Sequence, residues 1–185
     1  MSTLFTLFPG RWNSQPESEG SEKQLGLYWS GLLEPYPGVE KAVFLDSLLP
    51  AGPDAYPAAW RRFIRVGNSI PEQIANLFEL CFEKGYEKVV FAETICAALS
   101  PESLRKFTEA ISDKEMVFLP ADDGSVLMAS MDLHLYSGWD FYRFYEPGSI
   151  VEILSDCHEK GITYSVMDPL DLAESAKILS RLSGS

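Results

Sequence analysis

Apolar and polar positions along the chain alternate between two rhythms. Val89-Val-Phe-Ala92 is an apolar run with no polar alternation, and Met116-Val-Phe-Leu119 is a second. Uninterrupted runs of this length are how strands covered on both faces read. Between them the pattern turns helical over Pro101–Ile111, with Leu104, Phe107 and Ile111 on one side. Ser100 is a good N-cap for that helix and Pro101 suits its first position, although Ser103 leaves the capping box incomplete. Strand, loop, helix and strand in this order predict a βαβ unit.

The same reading extends over the rest of the chain. Thr3–Phe8 predicts a first strand ended by Pro9-Gly10. A polar stretch over Ser14–Ser21 predicts a loop. Glu22–Leu33 follows as a helix with Leu25, Tyr28, Trp29, Leu32 and Leu33 on one side, stopped by Pro35, Pro37 and Gly38. Glu40–Leu45 predicts a strand, Leu48–Pro57 a loop, Tyr56–Trp60 a short helix, and Phe63–Val66 an edge strand. Asn68 or Ser69 caps the next helix, Glu72–Lys84, whose Ile74, Leu77, Phe78, Cys81 and Phe82 form one face before Gly85 closes it. Ser125–Met131 predicts a strand, Asp132–Glu146 an aromatic-rich segment, Ser149–Lys160 a helix, Ile162–Met167 a last strand and Pro169–Leu182 a terminal helix. No linker interrupts the series, so the expected architecture is a single α/β domain, 1–185, with a mostly parallel sheet between helical layers.

Charge narrows the partners. Lys and Arg number 15 against 27 Asp and Glu, a net charge of −12. Arg61-Arg62 with Arg65 is the densest basic spot and is too short to form the basic stripe of a nucleic-acid binder. A phosphorylated small molecule stays compatible with this charge, because a loop and a metal ion can hold phosphate locally. No apolar run approaches the roughly 18 residues of a membrane span, and the first residues lack a basic start and a cleavage site, so the expected location is cytoplasmic. Cys81, Cys96 and Cys157 are far apart and form no Cys-x-x-Cys pair, which fits reduced thiols better than zinc or disulfides.

Ligands of open α/β sheets collect beyond the carboxyl ends of the strands. In the central unit those ends are Glu93-Thr94-Ile95 and Ala121-Asp122-Asp123-Gly124. Asp122-Asp123-Gly124 reads either as a turn supplying a positive φ or as a pair of site carboxylates. Glu93 reads either as a surface acid or as a ligand. His134 follows the strand after that turn and could reach the cleft, whereas His158 lies among charged helix neighbours. The aromatic segment reads as core or as a stacking surface for a ring.

Several local words resemble those of the small bacterial glycosyltransferase-like proteins of the GT-A fold, related to nucleotidyltransferases that act on phosphorylated small molecules. They are Gly85-Tyr-Glu-Lys-Val-Val-Phe-Ala92 with Leu99-Ser-Pro-Glu102, Leu119-Pro-Ala-Asp-Asp-Gly-Ser125 leading into Met131, Arg65-Val-Gly-Asn-Ser-Ile-Pro-Glu-Gln-Ile74, and Glu146-Pro-Gly-Ser-Ile-Val-Glu-Ile-Leu154. The resemblance implies a nucleotide-diphospho-sugar transferase (GT-A-like) fold and a nucleotide-sugar as substrate, with Mg²⁺ or Mn²⁺ as cation. It implies Asp122 and Asp123 as catalytic carboxylates and Glu93 as a metal ligand. Pro9, Gly10, Arg11, Asn68 and Gly124 would then surround the nucleotide and its phosphates.

The departures from the family pattern are local. Pro9-Gly10-Arg11 is followed by Trp12-Asn13-Ser14 in place of a Lys-Thr-Arg-Leu segment. Thr94-Ile95-Cys96-Ala97 replaces Thr-Asp-Ser-Pro, Ser125 replaces the second Gly of Asp-Gly-Gly, and Asp171-Leu172-Ala173-Glu174 replaces Asp-x-Asp-Thr. A transferase of this kind stabilises a leaving pyrophosphate with cation and basic groups. Losing them implies either slow turnover or a non-catalytic relative that kept the fold to bind a ligand or a protein.

Overall fold

The computed structural model describes residues 2–8, 19–36, 38–45, 56–94 and 96–183. Among the described residues seven strands join one sheet in the order β3-β2-β1-β4-β6-β5-β7. They are β1 (Thr3–Phe8), β2 (Glu40–Leu45), β3 (Arg61–Ile64), β4 (Lys88–Glu93), β5 (Met116–Pro120), β6 (Val126–Asp132) and β7 (Tyr164–Val166). The helices are α1 (Glu19–Leu33), α2 (Ile70–Glu83), α3 (Pro101–Asp113), α4 (Ser149–Glu159) and α5 (Leu172–Ser183). Two 3-10 turns, Leu133–Gly138 and Phe141–Tyr145, occupy the aromatic segment. Among the described residues no helix is long and apolar enough to cross a membrane.

Burial explains the run-like strands. All six residues of β4 and all five of β5 are buried. One face of the sheet packs on α1, α3 and α5 through Trp29, Leu33, Leu104, Phe107 and Leu179. The other packs on α2, α4 and the two 3-10 turns through Phe78, Cys81, Phe141, Phe144 and Ile153. Phe141 and Phe144 of the aromatic segment are therefore core, with Phe78 and Phe141 stacked at 5.1 Å and Phe144 fully buried, while Tyr136 and Trp139 are partly buried against the same layer. Polar groups inside the sheet are paired: Thr6 Oγ1 donates to the Val90 carbonyl at 2.7 Å, and the Val117 amide donates to Ser130 Oγ at 3.0 Å.

The βαβ reading of the central unit needs a correction in detail. β4 and β5 run the same way, but they are not neighbours. β6 lies between them, antiparallel to both. The reason is connection length: the turn after β5 has too few residues for the crossover that a parallel partner requires, so the chain doubles straight back. Tyr56–Trp60 forms turns and a bend instead of a helix. The other predicted strands and helices lie within a few residues of their sequence-predicted bounds, while the loops predicted over Ser14–Ser21 and Leu48–Pro57 fall mostly outside the described residues.

The direction of β6 decides which rim each loop joins. Leu7, Ala92, Met128 and Leu119 form one row across β1, β4, β6 and β5. The carboxyl ends of β1, β4 and β5 therefore share a rim with the start of β6. The end of β6 returns to the opposite rim. His134 is consequently far from that cleft: its Nε2 lies 2.7 Å from Glu115 Oε1 at the start of β5.

Candidate functional site at the carboxyl rim of the sheet

The strand order reverses direction between β1 and β4, which makes their shared carboxyl end the switch point of the sheet. Phe8 and Glu93 are in register there, and the Thr94 amide donates to the Phe8 carbonyl at 3.2 Å. Glu93 follows Phe91 by two residues, so it faces the same layer as Phe8 and Phe91, toward α2 and the 3-10 turns. Its side chain is fully buried. The Arg65 guanidinium lies 5.1 Å from the Phe8 ring centroid and brings a fixed positive charge to this corner. Arg65 opens the Arg65–Ile74 stretch that carries the family resemblance, which also holds Asn68.

The loop after β4 is held from below by α1. Trp29 Nε1 donates to the Thr94 carbonyl at 3.4 Å, and Tyr28 Oη donates to the Leu99 carbonyl at 2.7 Å. Burial, reinforced by the neighbouring Cys96, pushes the Tyr28 hydroxyl up to about 12, so it stays a donor across the physiological range. Cys96 itself is buried, with its Sγ 3.9 Å from the Leu127 carbonyl. It belongs to the packing under the loop and offers no exposed thiol.

The second predicted cluster, Asp122-Asp123-Gly124, lies on the same rim and in a tight turn. The Gly124 amide donates to the Ala121 carbonyl at 3.0 Å, and Gly124 has φ +81°. Asp123 Oδ1 accepts from the Ser125 amide at 2.9 Å and from Ser125 Oγ at 2.6 Å. Ser125 thus keeps the carboxylate folded onto its own turn. The turn is also docked on α4: the Gly148 amide donates to the Asp123 carbonyl at 2.7 Å and the Ile150 amide to the Gly124 carbonyl at 3.0 Å. Two amides at the start of α4, which could otherwise meet an anion, are spent on this contact. Pro120 sits where the β5–β6 register shifts, a bulge position that tolerates a residue lacking an amide hydrogen.

Asp122 is exposed and belongs to the other face of the sheet. Its amide donates to the Leu170 carbonyl at 3.0 Å, and its Oδ1 lies 3.5 Å from the Leu172 amide at the start of α5. Asp171 Oδ1 accepts from the Glu174 amide at 2.9 Å in the first turn of the same helix. Glu93 and Asp122 therefore share a rim but point into different layers, two interstrand steps or about 9.5 Å apart along the sheet. Asn68 precedes α2: its amide donates to Glu72 Oε2 at 2.7 Å, while Ser69 caps the helix. Pro9, Gly10 and Arg11 lie outside the described residues.

Among the described residues, no three His, Cys, Asp or Glu side chains gather where one ion could be held. A single exposed carboxylate such as Asp122 is what a Mg²⁺ that keeps several waters and takes its other ligands from phosphates would use.

No family model matches the chain, and no curated protein matches it. Solved structures do. A candidate nucleotide-diphospho-sugar transferase from Desulfovibrio desulfuricans G20 superposes with a TM-score of 0.70 at 13% identity, over 92% of this chain and 82% of that one. A Mycobacterium tuberculosis H37Rv protein in complex with manganese gives 0.58 at 11% identity, over 100% and 98%. A CMP:2-keto-3-deoxy-manno-octonic acid synthetase complexed with CTP gives 0.56 at 10% identity, over 98% of each chain. With the sheet order and three layers described above, these likenesses identify the fold of this chain as that of the nucleotide-diphospho-sugar transferases.

Proposed function

We propose that this chain binds a nucleotide-linked small molecule at the carboxyl rim above β1 and β4 and handles it as a glycosyltransferase or nucleotidyltransferase. The observation that carries the reading is the row Leu7–Ala92–Met128–Leu119, which puts the ends of β1, β4 and β5 on one rim at the switch point of the sheet. Arg65, with Arg11 from the first loop, would meet phosphate charge. Asn68 would line the nucleotide. Glu93 would accept hydrogen bonds or hold a proton at the buried end of the crevice. Asp122, exposed at the start of α5, would be the carboxylate offered to a phosphate-bound Mg²⁺ or Mn²⁺, which would supply charge neutralisation for a leaving phosphate.

A second reading, a binder without turnover, is favoured by one observation. The Asp123 carboxylate is taken up by Ser125, and two amides at the start of α4 are taken up by the turn. Losing one preorganised donor of this kind costs a transition state about 2.7–4 kcal/mol.

Thermal melting against CDP-, UDP- and GDP-linked sugars, with and without Mg²⁺ or Mn²⁺, tests binding. A ligand at a hundred times its Kd adds about 2.7 kcal/mol, or roughly 5–10 °C for a chain of this size. The cation alone should shift nothing, and cation with nucleotide should shift more than nucleotide alone. A flat response across the panel refutes the binding reading. Single-turnover product analysis with any ligand that binds then separates transferase from binder.

A further inference from the structure

We propose that Tyr28 and Trp29 of α1 are positioning residues for the ligand. They set the height of the loop after β4 against the rim, and through it the affinity of the β1–β4 crevice for a nucleotide-linked molecule. This role rests on the functional reading above. Both side chains act from under the loop: Trp29 is fully buried and Tyr28 partly so.

Two kinds of bond act on this loop. The first are made within it. The Cys96 amide donates to the Glu93 carbonyl at 3.2 Å and the Leu99 amide to the Cys96 carbonyl at 3.0 Å, so consecutive tight turns fix its shape. The second kind tie it to its neighbours. The Thr94 amide donates to the Phe8 carbonyl of β1, while the Thr94 and Leu99 carbonyls accept from Trp29 Nε1 and Tyr28 Oη. Adjacent helix residues point about 100° apart, which lets one stretch of α1 hold both ends of the loop. Between those ends, Cys96, Ala97 and Leu99 are buried, and Cys96 and Leu99 share a core cluster with Trp29.

The tethers are themselves anchored. Trp29 packs against Phe5 of β1 with ring centroids 6.1 Å apart, and Tyr28 meets Trp29 edge-on at 5.9 Å. The placement of α1 on β1 is thereby passed to the loop. Apolar burial alone needs no polar tip at these positions. What the indole and the phenol add is a donor aimed at a loop carbonyl. A purely structural role predicts that losing these donors costs stability alone. A positioning role predicts that it also costs affinity, because only the fraction of molecules with the loop in place binds.

Calorimetric titration with CDP-, UDP- and GDP-linked sugars and Mg²⁺ reads affinity, at a temperature where circular dichroism shows every variant folded. Residue-resolved amide exchange of the ligand-free protein reads the loop. Tyr28→Phe and Trp29→Phe each remove a donor and keep an aromatic ring. Each should raise the Kd of the sugar that the wild type binds at least roughly threefold, within the range of one net hydrogen bond. Exchange of the Cys96 and Leu99 amides should quicken in the same variants while β4 stays protected. Lys88→Met, at a buried position on the opposite rim, is the control: it should lose stability and keep the wild-type Kd. Quicker exchange with an unchanged Kd overturns the positioning role. So does unchanged exchange, or an equal rise in Kd for Lys88→Met. A wild type that binds none of the three sugars overturns the functional reading and the positioning role with it. Binding by the wild type with equal affinity in the variants overturns the positioning role alone.

Discussion

Gly124 and Gly148 have nearly the same backbone conformation and opposite surroundings, which makes them a matched pair. Their φ values are +81° and +77°. A Cβ at Gly148 would meet nothing within 4 Å, whereas one at Gly124 would lie 2.8 Å from Gly148 Cα and 3.0 Å from its amide nitrogen. Placing alanine in the left-handed region costs roughly 1–2 kcal/mol. The stiffer unfolded chain returns about 0.4–1 kcal/mol of it. Gly148→Ala should therefore destabilise by about 1 kcal/mol. Gly124→Ala adds a backbone collision that relaxes only by pulling the β5–β6 turn off α4, an overpacking cost of about 1–3 kcal/mol. Its total is about 2–4 kcal/mol, or roughly 4–16 °C in Tm. Urea unfolding followed by tryptophan fluorescence and circular dichroism measures both. If the two variants agree within about 0.5 kcal/mol, the turn does not need the close approach to Gly148, and the account of why glycine stands at 124 fails. If Gly124→Ala also weakens nucleotide binding while Gly148→Ala does not, the geometry of this turn matters to the ligand as well.

Lys88→Met should cost about 3 kcal/mol, the low end for breaking a buried ion pair. Lys88 is 2% exposed, pairs with Asp132 at 3.0 Å and donates to the Ile111 and Lys114 carbonyls at the end of α3, while Asp132 retains 20% exposure. Adding Asp132→Asn should recover part of the loss in a double-mutant cycle, and full additivity would refute the pairing. Glu115 accepts from the Thr163 amide at 2.7 Å and pairs with His134, and these bonds hold its carboxyl below the usual range. A depressed folded value contributes stability above the ordinary glutamate range, lost as pH falls through the folded value. Glu115→Gln should flatten the acid limb of stability against pH, and an unchanged limb would contradict this. Burial pushes the Cys81 thiol up to about 12 and the Cys157 thiol up to about 11. With Cys96 also buried, a thiol reagent near neutral pH should label none of the three in the native protein and all three in urea. Fast native labelling would refute it.

Much of this molecule is legible as pattern. The apolar run Val89–Ala92, the helix face Ile74–Phe82 and the cap at Ser100 are local physics: burial on both faces, a 3.6-residue stripe and an orphan amide that needs an acceptor. Even the reversal after β5 is implied by the length of its turn. What only tertiary structure decided was which strands lie side by side. That β6 slips between β4 and β5 is a matter of packing over long sequence separation, and it sends His134 to the far rim. It was likewise the fold that separated Glu93 from Asp122. Both sit at strand ends in sequence, but Glu93 alternates with Phe91 toward α2, whereas Asp122, in the turn past β5, lies against the start of α5. Asp122-Asp123-Gly124 could be read two ways from its residue types. What the residue types omit is the surroundings: Ser125 donates to the Asp123 carboxylate, the Gly148 amide donates to the Asp123 carbonyl, and Asp122 stays exposed.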